Sequence, residues 1–427
     1  MTALRLGIAG LGHVGCGLID LVQRQDQLRM PGRVEIAGVS ARSRNRNRVV
    51  DTSSYAWYDD AAALAAQDDV DVFVELVGGS DGPAKVAVET ALKAGKPVIT
   101  ANKALIAIHG QELAELAAAN GVDLLFEAAV AGGVPVVRVL RDSLASVEIS
   151  RVAGILNGTC NFLLSEMLST GRTYDTVLEE AQRLGYAEAD PTLDVSGMDA
   201  AHKAAILAAI AFSADLDFSK VEVDGVEGVE LLDLSLADRL GFRIKLIAEG
   251  ILTKAGVVCR VGPAALPIDH ALARVNGSLN TVRIIGEPLG AVTLTGPGAG
   301  AGPTASAVMG DVAKLFSPAP RPAFGRAAHH DVRKFVSADG SERSAFFLRV
   351  RLADKAGALA GLTEALAASG VSVDKLLQDS ADENGASPVA IVTHLCSRAE
   401  VREAVKRVES LDANMGAPQL IRIEAAE

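Results

Sequence analysis

Within one short stretch, Gly185 to Phe212 (GYAEADPTLDVSGMDAAHKAAILAAIAF), the chain carries Glu188, Asp190, Asp194, Asp199 and Lys203. A lysine set among carboxylates is suited to proton transfer, because neighbouring charges tune its pKa and hold its ammonium group in place. Asp199 and Lys203 are spaced i, i+4, which puts both on one face of a helix. The same spacing also fits an ordinary ion pair near a helix start, and the spacing alone does not choose between the two. The acids crowding the preceding residues favour the catalytic reading.

The local sequence says how these groups are positioned. Pro191 has no amide donor and disfavours helical geometry at Asp190, so Ala187 to Pro191 is loop. From Asp199 to Phe212 alanine, isoleucine and leucine follow almost without a breaker, which predicts a buried helix of several turns. An acidic loop therefore feeds the N-terminal end of an apolar helix.

A second constellation opens the chain. Leu4 to Ala9 is a short apolar run, Gly10, Leu11, Gly12, His13, Val14 and Gly15 make a GxGxxG turn, and Cys16 to Gln23 has helical periodicity. Between a strand and a helix this is a dinucleotide-binding fingerprint. Gly10 permits the tight turn, Gly12 lets the backbone approach a pyrophosphate, Gly15 allows close packing, and the helix N-terminus receives the negative charge. After the second strand, Arg33 to Val39, NAD enzymes usually offer an acid to the ribose hydroxyls, but here Ser40 leads to Arg42. Arg42 is therefore the candidate for the 2'-phosphate, and NADP is the expected cofactor, with NAD possible. Arg44, Arg46 and Arg48 read as a solvated loop. Strands at Asp71 to Val77 and Pro97 to Thr100 end at the same sheet edge, where open parallel sheets bind ligands, and this places Lys103 at the cleft. Without that context a lysine after a strand is a surface residue. Asp123 to Glu127 reads as a fifth strand, followed by small residues and Pro135 that mark a domain transition.

Length and charge bound what such a cleft can serve. A chain of 427 residues holds two or three domains. Its formal net charge of -12 and pI near 5.2 argue against sequence-independent affinity for nucleic acid or an anionic membrane, and leave small-molecule chemistry. Cys16, Cys160, Cys259 and Cys396 are far apart, show no metal-ligand spacing, and read as reduced core residues. No apolar run has the length to cross a bilayer, and a cytoplasmic location is expected.

Seven motifs, GLGHVG, ELVGGS, TANKAL, EAAVAGGVP, GILNGTCNFLL, GYAEADPTLDVSGMDAAHKAAIL and GPGAGAGPTASAV, stand in the order found in homoserine dehydrogenases. The chain resembles that family over almost its whole length. The resemblance implies a reversible, NAD(P)-dependent interconversion of L-aspartate 4-semialdehyde and L-homoserine, in threonine, methionine and isoleucine biosynthesis. It implies that Glu188, Asp194 and Asp199 hold the substrate, that Lys203 transfers the proton, and that Lys103 contacts the cofactor and assists. Gly185 and Gly302 would line the nucleotide site. A sodium ion would be held by Glu127 and the carbonyls of Val130, Gly132 and Val134. A homodimer or homotetramer is implied as well. Two other classes fit fewer of these features: a dehydrogenase for another amino-acid aldehyde, and a nucleotide-sensing protein without catalysis, which would need neither Asp199 nor Lys203.

Further along, Ser146 to Val152 reads as a strand, Gly154 to Thr159 as a turn and Asn161 to Thr170 as a helix; Lys245 to Leu252 and Gly256 to Val261 alternate as strands. Gly296 to Gly302 leads into a helix, Thr304 to Phe316. Pro318, Pro320 and Pro322, with His329 and His330, read as linker. The last eighty or so residues read as a separate β-α-β-β-α-β unit, the ferredoxin-like arrangement, and resemble an ACT domain, a small amino-acid-binding regulatory module. Ala356 stands where that family usually has proline, while Gly357 keeps the close backbone approach open. L-threonine is the implied effector. The expected division is a Rossmann-type NAD(P)-binding domain over 1–135, an α+β catalytic and dimerisation domain over 136–303, a return helix and linker over 304–344, and the ACT domain over 345–427.

Overall fold

The computed structural model describes residues 3–317, 322–325, 332–338, 340 and 342–424. Pro318, Pro320, His329 and His330 lie outside the described residues. In the first sheet Ala56–Tyr58, Val34–Ser40, Leu4–Ala9, Val72–Glu75, Val98–Thr100 and Leu124–Leu125 run side by side, all parallel. Numbered along the chain the order is 3-2-1-4-5-6, the doubly wound Rossmann order, whose ligand crevice lies where the order reverses. Both faces are covered, which explains the near-continuous apolar strands. Leu6, Ile8, Val72 and Val74 pack against helices His13–Gln23 and Ala301–Lys314, whereas Ala9 and Phe73 belong to the core on the other face.

Against this sheet edge sits the helix Met198–Phe212, laid across a second, largely antiparallel sheet. Its strands run Gly290–Pro297, Leu279–Glu287, Glu148–Ile155, Phe242–Leu252 and Val257–Pro267. The approach is close: a Cβ on Gly250 would stand 2.8 Å from the Ala208 side chain and 3.1 Å from Phe212. Glycine in that strand is therefore a packing requirement.

The C-terminal residues build the expected β-α-β-β-α-β unit. Gln419–Ile423, Arg343–Ala353, Ala386–Thr393 and Val373–Gln378 lie in that order, covered by helices Ala358–Ala368 and Arg398–Glu409 around their own apolar core. The expectation of a separate unit needs correction, because its last strand pairs in parallel with Val257–Pro267 (Ala264 with Arg422, Ala265 with Ile423). One sheet thus runs through both units. A fully buried ion pair also crosses the junction. Arg349 donates to both oxygens of Asp233 at 2.8 and 3.2 Å, with the two residues 2% and 0% exposed. Arg349→Ala would leave the Asp233 carboxylate buried and without its guanidinium. A loss of about 3–5 kcal/mol is expected from denaturant midpoints, the usual size for breaking one side of a buried pair, and Asp233→Leu in the same chain should recover part of it. An unchanged midpoint would mean the pair contributes nothing at the junction.

Smaller differences from the sequence reading have local causes. The fifth strand is only Leu124–Leu125, since Glu127 starts a short 3-10 turn, Glu127–Ala129. A strand at Ala56–Tyr58 and a four-residue helix at Thr192–Val195 were too short to carry a periodic signal. Glu148–Ile155 takes in residues read as a turn, and the helix after it begins at Gly158. The four cysteines are free and buried, and no helix among the described residues is long and apolar enough to cross a membrane.

Candidate active site

Two elements from different sheets bring their first turns together at one carboxylate. On the nucleotide side, strand Val98–Thr100 ends in a hydrogen-bonded corner. Thr100 donates to the buried Glu75 at 2.5 Å and accepts from the Asn102 amide at 2.9 Å; Asn102 donates to the Gly79 carbonyl at 2.6 Å and accepts from the Leu105 amide at 3.1 Å. Asn102 so caps the helix Lys103–Ala119, which fixes Lys103 as its first residue. Glu75 also accepts the amides of Val77 and Gly78, at 2.7 and 3.0 Å. On the other side, helix Met198–Phe212 carries Asp199 and Lys203 one turn apart.

Asp199 takes both lysines. Its Oδ1 lies 2.9 Å from Lys103 Nζ, and its Oδ2 accepts from Lys203 Nζ at 2.6 Å. Lys203 also donates to the Leu156 carbonyl at 2.8 Å, which accepts Asn280 Nδ2 at 3.0 Å. Asn157 braces the acids: its Nδ2 donates to Asp194 Oδ1 at 2.8 Å and to Asp199 Oδ2 at 2.9 Å, while its Oδ1 accepts the Cys160 amide and caps the helix Gly158–Thr170. Asp199 is 6% exposed and Lys203 8%, whereas the Lys103 side chain is 43% exposed toward the cleft. Burial pushes the Asp199 carboxyl up, but the two ammonium groups outweigh it and hold the pKa well below the usual carboxylate range. The Asp199 charge in turn raises Lys103 above its ordinary value. Asp194 is raised, by burial first and then by Asp199. The result is an ionised carboxylate with two oriented cations, beside a second carboxylate that gives up its proton less readily.

These groups floor a cleft of about 800 Å³. Lys103, Asp199, Lys203, Asp194 and Glu188 line it, as do Gly185, Gly132, His13 and Val14. Beneath its nucleotide end, Gly10 has φ 100°, and a Cβ there would meet the Leu76 carbonyl oxygen at 2.3 Å; on Gly15 it would meet Gly10 O at 2.0 Å. Gly12 faces open space, and the helix His13–Gln23 has no side-chain cap, so its first amides are free for an anion. Gly10 donates to the Ser40 carbonyl at 2.9 Å, which sets the end of the neighbouring strand beside this turn. Leu11 is buried under it. Arg42 is exposed just beyond Ser40 and has no ion pair among the described residues. The solvated-loop reading of its neighbours is corrected in part: Arg48 donates to the carbonyls of Ser43, Arg44 and Arg46, and both Arg48 and Arg44 lie over the Trp57 ring, at 5.3 and 5.9 Å. Gly302 stands in the first turn of helix Ala301–Lys314, facing open space, while Gly300, Ala301 and Thr304 form the cleft wall there.

Glu127 lies deeper, 2% exposed, accepting the amides of Val137 and Arg138 at 3.0 and 2.8 Å. Burial, followed by the charge of buried Asp311, pushes its carboxyl up to about 7. Ala131 and Gly132 both have positive φ (53° and 47°), turning the chain back on itself. The Val134 carbonyl accepts the Val136 amide at 2.7 Å, while those of Val130 and Gly132 accept no hydrogen bond among the described residues. A buried acid pair with unused carbonyls is an oxygen donor set that fits a hard cation.

Sequence reasoning missed Asn157, Asn280, Glu75 and Asp311. Only Asn157 left a trace, as an asparagine just before Gly158-Thr159, the place of a helix cap. The others act through contacts between distant segments.

Residues 135–313 match the family profile described as homoserine dehydrogenase, residues 10–127 the homoserine dehydrogenase NAD binding domain, and residues 346–413 the ACT domain. The chain is 39% identical to a homoserine dehydrogenase of Pseudomonas aeruginosa, over 99% of each chain. Among solved structures it resembles a homoserine dehydrogenase from Thiobacillus denitrificans (35% identity, TM-score 0.90, 99% of each chain). It also resembles a hyperthermophilic archaeal homoserine dehydrogenase in complex with NADPH, at 27% identity and TM-score 0.64, over 75% of this chain and all of the other.

Proposed function

This chain belongs to the homoserine dehydrogenase family of oxidoreductases, and we propose that its cleft reduces L-aspartate 4-semialdehyde to L-homoserine, reversibly and with NADPH, on the way to threonine, methionine and isoleucine. The observation that supports this most is Asp199 gripping one ammonium group from the nucleotide side and one from the catalytic helix, at the floor of a cleft that also reaches the glycine-rich turn.

In this reading a bound dihydronicotinamide supplies the hydride. Lys203, held by Asp199 and the Leu156 carbonyl, keeps one N–H for the substrate and gives its proton to the oxygen that becomes the alcohol. Lys103, kept charged by Asp199, contacts the cofactor and stabilises the developing negative charge. Glu188 and Asp194 face the cleft and receive the substrate ammonium. Gly10, Leu11, Gly12, His13, Val14 and Gly15, with Gly185 and Gly302, form the nucleotide seat. Glu127 with the carbonyls of Val130, Gly132 and Val134 would hold a sodium ion, beside the Arg138 guanidinium that already faces Glu127 and Asp311. The division into 1–135, 136–303, 304–344 and 345–427 follows from the same reading, as does assembly into a homodimer or homotetramer. The ACT domain serves feedback control by L-threonine.

The direct test is NADPH oxidation with L-aspartate 4-semialdehyde set against other amino-acid aldehydes; a preference for another aldehyde would replace the substrate while leaving the reaction class. Cofactor choice is tested separately. Arg42 has no acid beside it and is free for a phosphate, so Arg42→Ala should raise KM for NADPH about tenfold, the size of a lost charge-assisted contact, and leave NADH nearly untouched. Equal losses with both cofactors would show that Arg42 does not read the 2'-phosphate.

A further inference from the structure

Glu75, the last residue of strand Val72–Glu75, is 0% exposed and has no ion pair among the described residues. In the sheet register it stands between Ala9 and Thr100, where the strand order reverses and the nucleotide crevice opens. The core does not call for an acid there. Val72, Phe73 and Val74 beside it are buried apolar residues, and burying a carboxyl group is costly unless its oxygens find donors. Glu75 finds three, on the two segments that leave this edge of the sheet: the amides of Val77 and Gly78 reach Oε1, and the Thr100 hydroxyl reaches Oε2.

These bonds close into a ring. From Oε2 it runs through Thr100 Oγ1 to the Asn102 amide at 2.9 Å; Asn102 Nδ2 carries it to the Gly79 carbonyl at 2.6 Å, and the Gly78 amide returns it to Oε1 at 3.0 Å. One half of the ring is the loop from Leu76 to Gly79, in which Gly78 and Gly79 both have φ 84°. That loop lies against the glycine-rich turn: a Cβ on Gly10 would stand 2.3 Å from the Leu76 carbonyl oxygen and 2.9 Å from the Val77 nitrogen. The other half is the corner that caps helix Lys103–Ala119 and so sets Lys103, whose Nζ lies 2.9 Å from Asp199.

We infer that Glu75 is a positioning residue for the reaction, holding the loop beside the nucleotide seat and the lysine of the next helix at one fixed spacing. The inference rests on Lys103 working at the cofactor, and adds the group that ties it to the seat. With the ring open, a loop with two left-handed glycines and the start of the helix are free to shift independently. A shift of about 1 Å at a positioned group is enough to cost rate.

Glu75→Ala would leave a cavity in the sheet, so the ring is better opened by two milder changes. Glu75→Gln keeps an acceptor for the loop amides but turns an amide NH2 toward Thr100, and Thr100→Val removes the hydroxyl while keeping the branched shape. Thr100→Ser keeps the hydroxyl and serves as the rescue. Each is measured for kcat, for Kd of NADPH by fluorescence titration without substrate, and for melting temperature; Lys103→Met is measured alone and combined with Thr100→Val. The expected result is a kcat about tenfold lower and a raised Kd in both ring-opening variants, values near the original in Thr100→Ser, and a double variant no slower than Lys103→Met. A lower melting temperature with kcat and Kd unchanged would overturn the inference and leave the ring a structural device. A further tenfold fall of kcat in the double variant would overturn it too, since Thr100 would then act other than through Lys103. Normal kcat and Kd in Lys103→Met would overturn the role of Lys103 itself, and the inference with it.

Discussion

Replacing Lys203 with methionine should lower kcat about 10²-fold or more while the affinity for NADPH stays near its original value, the pattern expected when a positioned proton donor is removed and the binding contacts remain. The substitution is structurally mild. Methionine keeps the length of the buried side chain, Asp199 retains Lys103 as counter-ion, and the Leu156 carbonyl retains Asn280. No charge is stranded, so a fall in rate reports chemistry rather than unfolding. A variant with near-normal kcat would move the proton to Lys103, which reaches further into the cleft.

Asp199→Asn should be at least as damaging, with kcat/KM down about 10²–10³-fold, because one substitution removes the counter-ion of two ammonium groups and leaves Lys203 buried against neutral oxygens. Lys103 is partly exposed, so solvent offsets some of that cost. The lost charge also removes the largest upward pull on the Lys103 pKa, leaving those of Asp194 and Glu188. In the wild type, Asp199 is held below the usual carboxylate range, so its contribution to stability is complete at neutral pH and is lost only as the pH falls through that depressed value in strong acid. Protonation of Asp199 is therefore not expected to lower activity near pH 5. An unchanged kcat/KM in Asp199→Asn would return the pair to an ordinary helix ion pair.

Much of this site could be read along the chain because its parts are local. Asp199 and Lys203 share a helix face by spacing alone, and the glycines of the first turn announce a backbone that must come close to something. Lys103 reads from the sequence as lying at a sheet edge, but its meeting with Asp199 depends on how two sheets dock, which no local pattern encodes. Asn157 shows in the sequence only as a helix cap, and Asn280 not at all, for the same reason: each is one polar residue in a turn or strand until Leu156, Asp194 and Asp199 arrive around it. Glu249 shows the limit most clearly. In Lys245 to Leu252 it reads as the polar, solvent-facing position of an alternating strand, yet it is 1% exposed and held by Arg151, Arg260 and Arg422. Two of those guanidiniums come from other strands of its own sheet, and the third from the strand that joins the ACT domain to it. That joining strand spans only two register pairs, too few to leave a sequence signal.

Whether Asp199 and Lys203 work as one proton-transfer unit is decided by kcat/KM of the doubly substituted chain, Asp199→Asn with Lys203→Met, measured beside both single variants. Groups that act together lose little more when both are removed. The double variant should fall no further than the more damaging single one. Losses that multiply would show that the two side chains contribute independently, and would contradict the assignment of the proton to Lys203 under the control of Asp199.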